Sequence, residues 1–191
     1  MDTHVVAVPG SLRERSYTRL ATTRALDAAE SRGVTTDLID LRELDLPVFD
    51  ADAGEAGDAA ALTRRVRTAD SVLLSTPVYH GSYSAPLKNA LDYCGFDEFE
   101  RTTVGLLAVA GGSFPASALE HLRSVSRALN AWVLPHQAAL PNVSSRFEDG
   151  ELLDETMADR VDTLGVRLVE YANIEPDPMT VEACENVGAD D

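Results

Sequence analysis

The sequence predicts an α/β fold in which helices cover both faces of a parallel sheet. Two observations lead to this prediction. Short apolar runs typical of buried strands alternate with segments whose apolar residues recur every three or four positions, as in helices, which favours parallel strands joined by crossover helices. The chain has 191 residues, of which 45% are hydrophobic, and this is enough for one domain with a sizeable core.

These patterns place the elements in order along the chain. The first strand is predicted at 5–8 and the first helix at 18–32, ended by Gly33. The apolar face expected for this helix comprises Leu20, Ala21, Ala25, Ala28 and Ala29. The small and acidic stretch 50–59 predicts a surface loop. Further strands are predicted at 36–41, 71–75, 103–110 and 132–134, and further helices at 60–68, 86–93, 115–130 and 155–172.

The chain is strongly acidic. Its 32 Asp and Glu residues outnumber 16 Lys and Arg residues, which gives a net charge of −16, and Lys88 is its only lysine. Such a surface repels nucleic acids and anionic membranes. The charges also repel one another, and molar salt, where the Debye length is about 3 Å, screens that repulsion. With arginine in place of lysine, this composition predicts a protein from a salt-accumulating halophile; an acidic protein of a mesophile is the alternative.

Neither export nor membrane insertion is indicated. The chain begins without a cationic segment followed by an apolar stretch, and no apolar run approaches membrane-spanning length. A cytoplasmic location is therefore expected. Cys94 and Cys184 lie far apart and belong to no Cys or His ligand motif, so neither a disulfide nor a metal site is expected.

The loop between the first strand and the first helix has the composition of a phosphate-binding site. Segment 9–18 brings hydroxyl groups, a guanidinium and a glycine to a helix start, where unpaired N–H groups and the helix dipole favour anions. A terminal phosphomonoester, the group that FMN carries, would suit Ser11, Ser16, Thr18 and Arg13. One glycine and no lysine match neither the nucleotide triphosphatase P-loop nor the dinucleotide-binding fingerprint. Alternatively, Ser16 or Thr18 only caps the helix.

Two further loops belong to the same edge of the predicted sheet. In open parallel sheets, ligands bind outside the carboxyl ends of the strands, where the strand order reverses. The third strand is followed by segment 76–93, which contains two loop tyrosines, a proline turn and a glycine. The fourth strand is followed by Gly111 and Gly112, whose backbone N–H groups can approach a flat ring closely.

Together these segments are similar to the NADPH-dependent FMN reductase family of flavodoxin-like proteins. The similar motifs are Gly-Ser-Leu-Arg at 10–13 with Ser16, Leu-Pro-Val-Phe at 46–49, Thr-Pro-Val-Tyr at 76–79, Leu-Lys-Asn-Ala-Leu-Asp-Tyr at 87–93 and Gly-Gly at 111–112. The resemblance implies a three-layer flavodoxin-like fold with a doubly wound, parallel five-stranded sheet of order 2-1-3-4-5. It assigns residues 1–173 to an FMN-binding reductase domain. Residues 174–191 are then an acidic C-terminal tail, either solvated or wrapped around a neighbouring subunit.

The resemblance also implies which residues bind FMN. The phosphate would be held by Ser11, Arg13, Ser16 and Thr18, with Tyr17 beside it. The isoalloxazine ring would be bordered by Pro77, Val78, Tyr79, His80, Gly81 and Ser82, and its pyrimidine side by Gly111, Gly112 and Ser113. Many members have asparagine at the positions of Thr18 and His80, so His80 is either a flavin contact or an ordinary surface histidine.

The implied activity is that of an NAD(P)H-dependent flavin oxidoreductase. Hydride passes from the nicotinamide of NADPH or NADH to flavin N5, and the electrons continue to free flavin, a quinone or a similar small acceptor. No catalytic side chain is expected, because the flavin carries the chemistry. The alternatives are a flavodoxin-type electron carrier and a flavin-binding regulator without turnover. Flavodoxins usually have a phosphate loop richer in hydroxyl groups and without an arginine like Arg13, which favours the reductase.

Two residues bear on protein partners. Tyr83, followed by Ser84, resembles members that supply reduced flavin to a partner sulfonate monooxygenase; an aromatic residue packed at a subunit interface is the alternative. Lys88 lies in the segment that family members use for subunit contacts, so we expect it at the interface of a homodimer or homotetramer. An ion pair with Asp92, four residues later, is the local alternative.

Overall fold

The computed structural model describes residues 3–53 and 56–172. Its strands are β1 (His4–Pro9), β2 (Thr35–Leu38), β3 (Ser71–Pro77), β4 (Thr103–Val109), β5 (Trp132–Val133), β6 (Ala138–Leu140), β7 (Phe147–Glu148) and β8 (Glu151–Leu152). The main sheet is parallel, and its order β2-β1-β3-β4-β5 confirms the predicted order 2-1-3-4-5. β7 and β8 form a separate antiparallel hairpin.

Helices cover both faces of this sheet, as predicted. They are α1 (Tyr17–Glu30), α2 (Ala59–Arg67), α3 (Ala85–Asp92), α4 (Phe96–Phe99), α5 (Ala116–Ala128) and α6 (Glu155–Glu170). α1 and α6 bury their apolar residues against one face, and α2 to α5 bury theirs against the other. Gly165 allows α6 to cross α1 closely, because a Cβ there would lie 2.0 Å from the Ala25 carbonyl oxygen.

The apolar face predicted for α1 was wrong in part. Leu20 is 38% exposed, and Ala28 is only half-buried. Two threonines, Thr18 and Thr22, are buried instead. Burial of Thr22 is possible because its hydroxyl bonds the Thr18 carbonyl oxygen at 2.7 Å and Ser75 Oγ at 2.6 Å.

The sheet contains one strand that the sequence patterns did not reveal. β5 pairs with the start of β4, where Trp132 lies opposite Thr103, and β6 pairs with its end, where Ala138 lies opposite Leu107. A three-residue strand is too short to show an alternating pattern, so β6 escaped prediction. It brings the following residues, from 141 onward, to the carboxyl edge of the sheet.

Helix α4 and the hairpin were also not predicted, because their few residues are too short a run to show the apolar repeat of a helix or a strand. Within the described residues, no helix is long and apolar enough to cross a bilayer.

Burial raises the pKa of the Cys94 thiol to about 12, so this thiol stays protonated at neutral pH. Cys184 and the predicted tail at 174–191 lie outside the described residues.

A bidentate ion pair attaches the edge strand β2 to α2. Arg65 donates from Nε and Nη2 to the Asp37 carboxylate at 2.8 and 2.6 Å, and from Nη2 to the Leu38 carbonyl oxygen at 3.1 Å. These hydrogen bonds from Arg65 lower the pKa of Asp37 below its usual 3.8. The pair therefore stabilises the fold fully above pH 3.8, and the stabilisation disappears as the pH falls through the lower pKa of the folded state.

We expect Asp37→Asn to lower the free energy of unfolding at pH 7 by about 1 kcal/mol or less, because the pair is partly exposed. As the pH falls below 3.8 to about 2, the difference should shrink, because the stabilising ion pair is lost as the parent carboxylate takes up a proton. Urea denaturation of both proteins at one fixed salt concentration measures it. Asp27→Asn, at an exposed position without an ion pair to a described residue, is the matched control and should be close to neutral at pH 7. A difference that persists unchanged at pH 2 contradicts the assignment.

Candidate functional site

A cavity of about 150 Å³ opens at the carboxyl ends of β1, β3 and β4. This is the point where the strand order reverses, between β1 and β3. Residues from the loops after β1, β3, β4 and β6 line it: Ser11, Arg13, Ser16, Tyr17, Thr18, Pro77, Val78, Tyr79, Val109, Gly111, Val143 and Ser144. The structure thus brings the predicted phosphate residues together with part of each predicted ring segment.

The start of α1 supplies unpaired hydrogen-bond donors to this cavity. Ser16 is the N-cap residue, and its Oγ accepts from the Arg19 backbone N–H at 3.1 Å. Ser16 therefore caps the helix, as the alternative prediction held. Its hydroxyl can still donate its own hydrogen to a ligand. The backbone N–H groups of Tyr17 and Thr18 have no partner in the described part of the chain.

Buried hydroxyl groups and an unpaired cation complete the donor set. Ser11, Ser16 and Thr18 are 3%, 3% and 2% exposed. The guanidinium of Arg13 is exposed and forms no ion pair with any described residue. Arg19 fixes this loop by donating to the Arg13 carbonyl oxygen at 3.3 Å. In a chain of net charge −16, this is a local concentration of donors and positive charge that suits a phosphate.

A set of buried hydrogen bonds, the Gly10–Ser84–Thr76 contact, joins the loops after β1 and β3. Ser84 Oγ donates to the Gly10 carbonyl oxygen at 2.6 Å, and the Ser84 backbone N–H donates to Thr76 Oγ1 at 2.9 Å. A Cβ on Gly10 would lie 2.5 Å from Ser84 Oγ and 2.7 Å from Leu87 Cβ, so only glycine fits. The two loops that line the cavity are therefore held in one relative position.

Residues 79–82 form a tight turn at the edge of the cavity. Tyr79 and Ser82 exchange two backbone hydrogen bonds of 3.0 Å. His80 and Gly81 have φ of 50° and 76°, which is the backbone required at the centre of a type I′ turn. Histidine and asparagine both tolerate this conformation, which gives His80 a structural role in the turn. The structure does not place His80, Gly81 or Ser82 in the cavity lining.

The loop after β4 presents open backbone beside the cavity. Gly111 lines the cavity, and a Cβ on it would meet no other atom within 4 Å. Gly112 and Ser113 are exposed and lie outside the lining, and the Gly112 carbonyl oxygen accepts from the Asn142 N–H at 3.0 Å. Neither glycine needs a positive φ. The open space at Gly111 is consistent with a flat ligand lying against the backbone.

Three lining residues were missed by the sequence reasoning: Val109, Val143 and Ser144. The last two follow the unpredicted strand β6, and the apolar run 138–140 before Pro141 was the available signal. The hairpin also supports the site, because the ring of Phe147 stacks on that of Tyr17 with centroids 4.9 Å apart. Ser84, Thr76 and Thr22 were likewise not singled out as supports of the site.

A second groove, of about 700 Å³, lies between α3 and segment 41–48. We call it the α3 groove; its lining includes Leu12, Val48, Tyr83 and Lys88. Leu12 and Val48 are 53% and 87% exposed. Lys88 forms an ion pair with Asp92, which is the local alternative anticipated for it. The expected interface role of Lys88 stays a prediction.

Comparison with known proteins gives related sequences and folds. The family described as NADPH-dependent FMN reductase matches residues 3–145. An FMN-dependent NADPH-azoreductase of Staphylococcus haemolyticus is 30% identical over 178 residues, covering 88% of this chain and 95% of the relative.

Solved structures share the fold at lower identity. FerB, a flavoenzyme NAD(P)H:(acceptor) oxidoreductase from Paracoccus denitrificans, has a TM-score of 0.75 at 22% identity, covering 89% of this chain and 97% of FerB. An oxidoreductase from Corynebacterium diphtheriae has a TM-score of 0.74 at 19% identity, covering 90% and 97%.

We expect Ser84→Ala to destabilise the protein by about 1–3 kcal/mol, because the buried Gly10 carbonyl oxygen loses its donor. Chemical denaturation at high salt measures the change. Ser124→Ala, at an exposed position of α5, is the control and should be close to neutral. Equal stabilities of the Ser84→Ala variant and the parent would mean that the Gly10–Ser84–Thr76 contact does not hold the loops.

Proposed function

The chain belongs to the NADPH-dependent FMN reductase family, and on that premise we propose that its cavity holds the phosphate of FMN. In this proposal the enzyme moves hydride from NADPH or NADH to FMN and passes the electrons to a small acceptor, such as free flavin, a quinone or an azo compound. The observation that carries it is the meeting of Arg13, three buried hydroxyls and two unpaired helix N–H groups in one cavity.

The size of the cavity supports this arrangement. A volume of about 150 Å³ is below the roughly 300–1,000 Å³ of typical ligand pockets, so in this proposal it encloses only part of the cofactor, with the phosphate end at the start of α1. The remainder of the cofactor would lie along the rim made by 77–79 and 111–113. Tyr79, which is 51% exposed, leaves that rim open to solvent and to small molecules.

In this proposal the residues of the cavity bind and orient the cofactor, and no side chain is required as an acid or a base. Bound FMN supplies a ring that accepts hydride and returns electrons. Arg13 and the hydroxyls would fix its phosphate end, while the backbone at Gly111 would approach the ring without a side chain between them. The nicotinamide and the acceptor would use the same open face of the flavin one after the other, which implies ping-pong kinetics.

A homodimer or homotetramer fits the exposed apolar surface. The α3 groove combines Leu12 and Val48, both largely exposed, with the half-buried Tyr83. Phe49 beside it is fixed from α3, since its N–H donates to Asn89 Oδ1 at 2.8 Å and its ring meets Tyr93 edge-on. A second subunit would cover this surface. A partner monooxygenase that takes up reduced flavin, suggested by Tyr83, belongs to the same proposal.

The acidity supports a halophilic origin. Asp40 forms ion pairs with both Arg19, at 3.8 Å, and Arg42. Because the chain has twice as many acidic as basic residues, ion pairs cannot neutralise most of its carboxylates. High salt would screen the remaining repulsion, which otherwise favours the unfolded chain.

We expect Arg13→Gln to weaken FMN binding about 10- to 100-fold, the value of one charge-assisted hydrogen bond. Flavin fluorescence titration of the apoprotein measures it, and oxidation of NADPH or NADH is followed at the nicotinamide absorbance band. Arg64→Gln, at an exposed position of α2, is the control and should bind normally. Unchanged FMN affinity in the Arg13→Gln variant would contradict the phosphate assignment. FMN binding without nicotinamide oxidation by the parent would favour the electron carrier or the regulator.

We expect cooperative unfolding as salt is lowered below about 1 M, where screening weakens. Melting temperatures in a KCl series measure this. Sucrose in place of KCl is the control, because it is excluded from the protein surface but screens no charge, and it should not restore the melting temperature fully. Equal melting temperatures at low and high salt would contradict the halophilic assignment.

A further inference from the structure

A cationic and apolar patch lies at the edge of the sheet formed by α5 and β5. We call it the edge patch; it comprises Arg123, Arg127, Asn130, Trp132 and Val133, around a cavity of about 470 Å³. It is remote from the FMN site, because Trp132 pairs with Thr103 at the beginning of β4, whereas the FMN site lies at the ends of the strands. In the described sheet β5 is the outermost strand on this side.

The two arginines of this patch form no ion pair with a described carboxylate, although Glu120 lines a neighbouring cavity together with both. Arg123 donates to neutral acceptors only, the Leu134 carbonyl oxygen at 3.3 Å and Gln137 Oε1 at 2.7 Å. Arg127, one turn further along α5, forms no ion pair within 3–53 and 56–172. Elsewhere arginines such as Arg24 and Arg65 pair bidentately with aspartates. The patch therefore presents two arginines without an ion pair to any described acidic group that reaches it.

The apolar part of the patch is also uncovered. Trp132 is 48% exposed. The Trp132 N–H donates to the Thr102 carbonyl oxygen and the Leu134 N–H to that of Val104, both at 2.9 Å. By the alternation of a parallel ladder, the N–H of Val133 between them faces away from β4. An unpaired strand edge of this kind favours pairing with another chain unless something covers it.

The chain leaves its described part beside this patch. Thr103 Oγ1 donates to the carbonyl oxygen of Tyr171, and the next residue, Ala172, is buried. Because Thr103 pairs with Trp132, the residue that contacts Tyr171 lies about one strand spacing, roughly 4.8 Å, from β5. The exit is on the α6 face of the sheet, whereas Arg123 and Arg127 belong to α5 on the other face. Residues 173–191 contain no basic residue and six acidic ones: Glu175, Asp177, Glu182, Glu185, Asp190 and Asp191.

We propose that segment 173–191 binds the edge patch of its own chain, with its carboxylates on Arg123 and Arg127 and its backbone over Trp132 and the free edge of β5. Charge complementarity and the place where the chain exits both favour this occupant. An extended chain covers about 3.3 Å per residue, so the segment is long enough to pass around the edge of β5 to Arg123 and Arg127. Attachment to the same chain gives the segment an effective concentration in the millimolar range.

Molar salt does not abolish such contacts. The Debye length at 1 M is about 3 Å, which is close to the length of a direct guanidinium–carboxylate hydrogen bond. Long-range repulsion between the segment and the acidic body is screened, whereas contact pairs at the patch persist. The segment then covers a sheet edge that would otherwise pair between molecules.

Trp132 is the only tryptophan of the chain, so its fluorescence reports directly on the patch. The full-length variant E175Q/D177N/E182Q/E185Q/D190N/D191N should show red-shifted emission and about twofold stronger quenching by acrylamide than the parent, at equal FMN content. R123Q/R127Q should give the same change, and the combined variant should add nothing, because both disrupt one contact. R64Q is the matched control and should leave emission unchanged.

Three outcomes would overturn the proposal: unchanged emission and quenching in the neutralised variant, additive effects in the combined variant, or a change that depends on protein concentration. The last would assign the patch to a segment of a second copy. If R123Q/R127Q fails to fold by circular dichroism, the neutralised variant decides alone, supported by hydrogen exchange at the Val133 amide, which should quicken at least severalfold.

Discussion

The close approach of Gly10 to Ser84 is the contact on which the site depends. The backbone after β1 and the start of α3 come so near each other that no Cβ fits on Gly10, and the Ser84 hydroxyl takes the space with a hydrogen bond of 2.6 Å. Ser84 is fixed in turn by Thr76 at the end of β3. Because residues of the loops after β1 and β3 line the same cavity, this contact fixes the relative position of those residues. The donors at the start of α1 are thus preorganised before any ligand arrives.

Arginine serves two purposes in this acidic chain. Arg65 on Asp37, like Arg24 on Asp162, connects secondary-structure elements that are distant in sequence, and its charge is used within the fold. Arg13 and Arg127 have no carboxylate among the described residues, so their charge is available to something else. Other arginines, such as Arg64 and Arg160, also form no ion pair with a described residue, so it is the position of Arg13 and Arg127 beside a cavity that makes them informative. The proposed phosphate contact and the proposed contact of segment 173–191 rest on the same reasoning.

Much of the fold could be predicted from the sequence, because strands 4 to 7 residues long and helices of two turns or more leave a readable apolar pattern. The strand order came from the resemblance, and the structure confirms it. The apolar pattern did not reveal the three-residue β6. Because Val143 and Ser144 follow this strand, they were not predicted as site residues. The pattern also failed for Leu20, since Thr18 and Thr22 occupy the buried face of α1 through hydrogen bonds that hydrophobicity cannot reveal. His80 was left open because a turn conformation depends on backbone geometry that one residue name does not specify.

The small volume of the cavity bears on acceptor choice in the proposed function. If only the phosphate end of FMN is enclosed, specificity for the acceptor cannot come from a closed pocket that surrounds it. The lining also contains no histidine or carboxylate that could distinguish one acceptor from another by its charge. Access to the open rim is what remains, and the exposed side chains near it are Tyr79, Phe114 and Leu12. Substitutions of these residues would change the shape and apolarity of the path by which an acceptor reaches the flavin, and they would leave the phosphate-binding donors unchanged. In the proposed function, the acceptor would therefore be selected by these exposed residues and by any subunit that covers them.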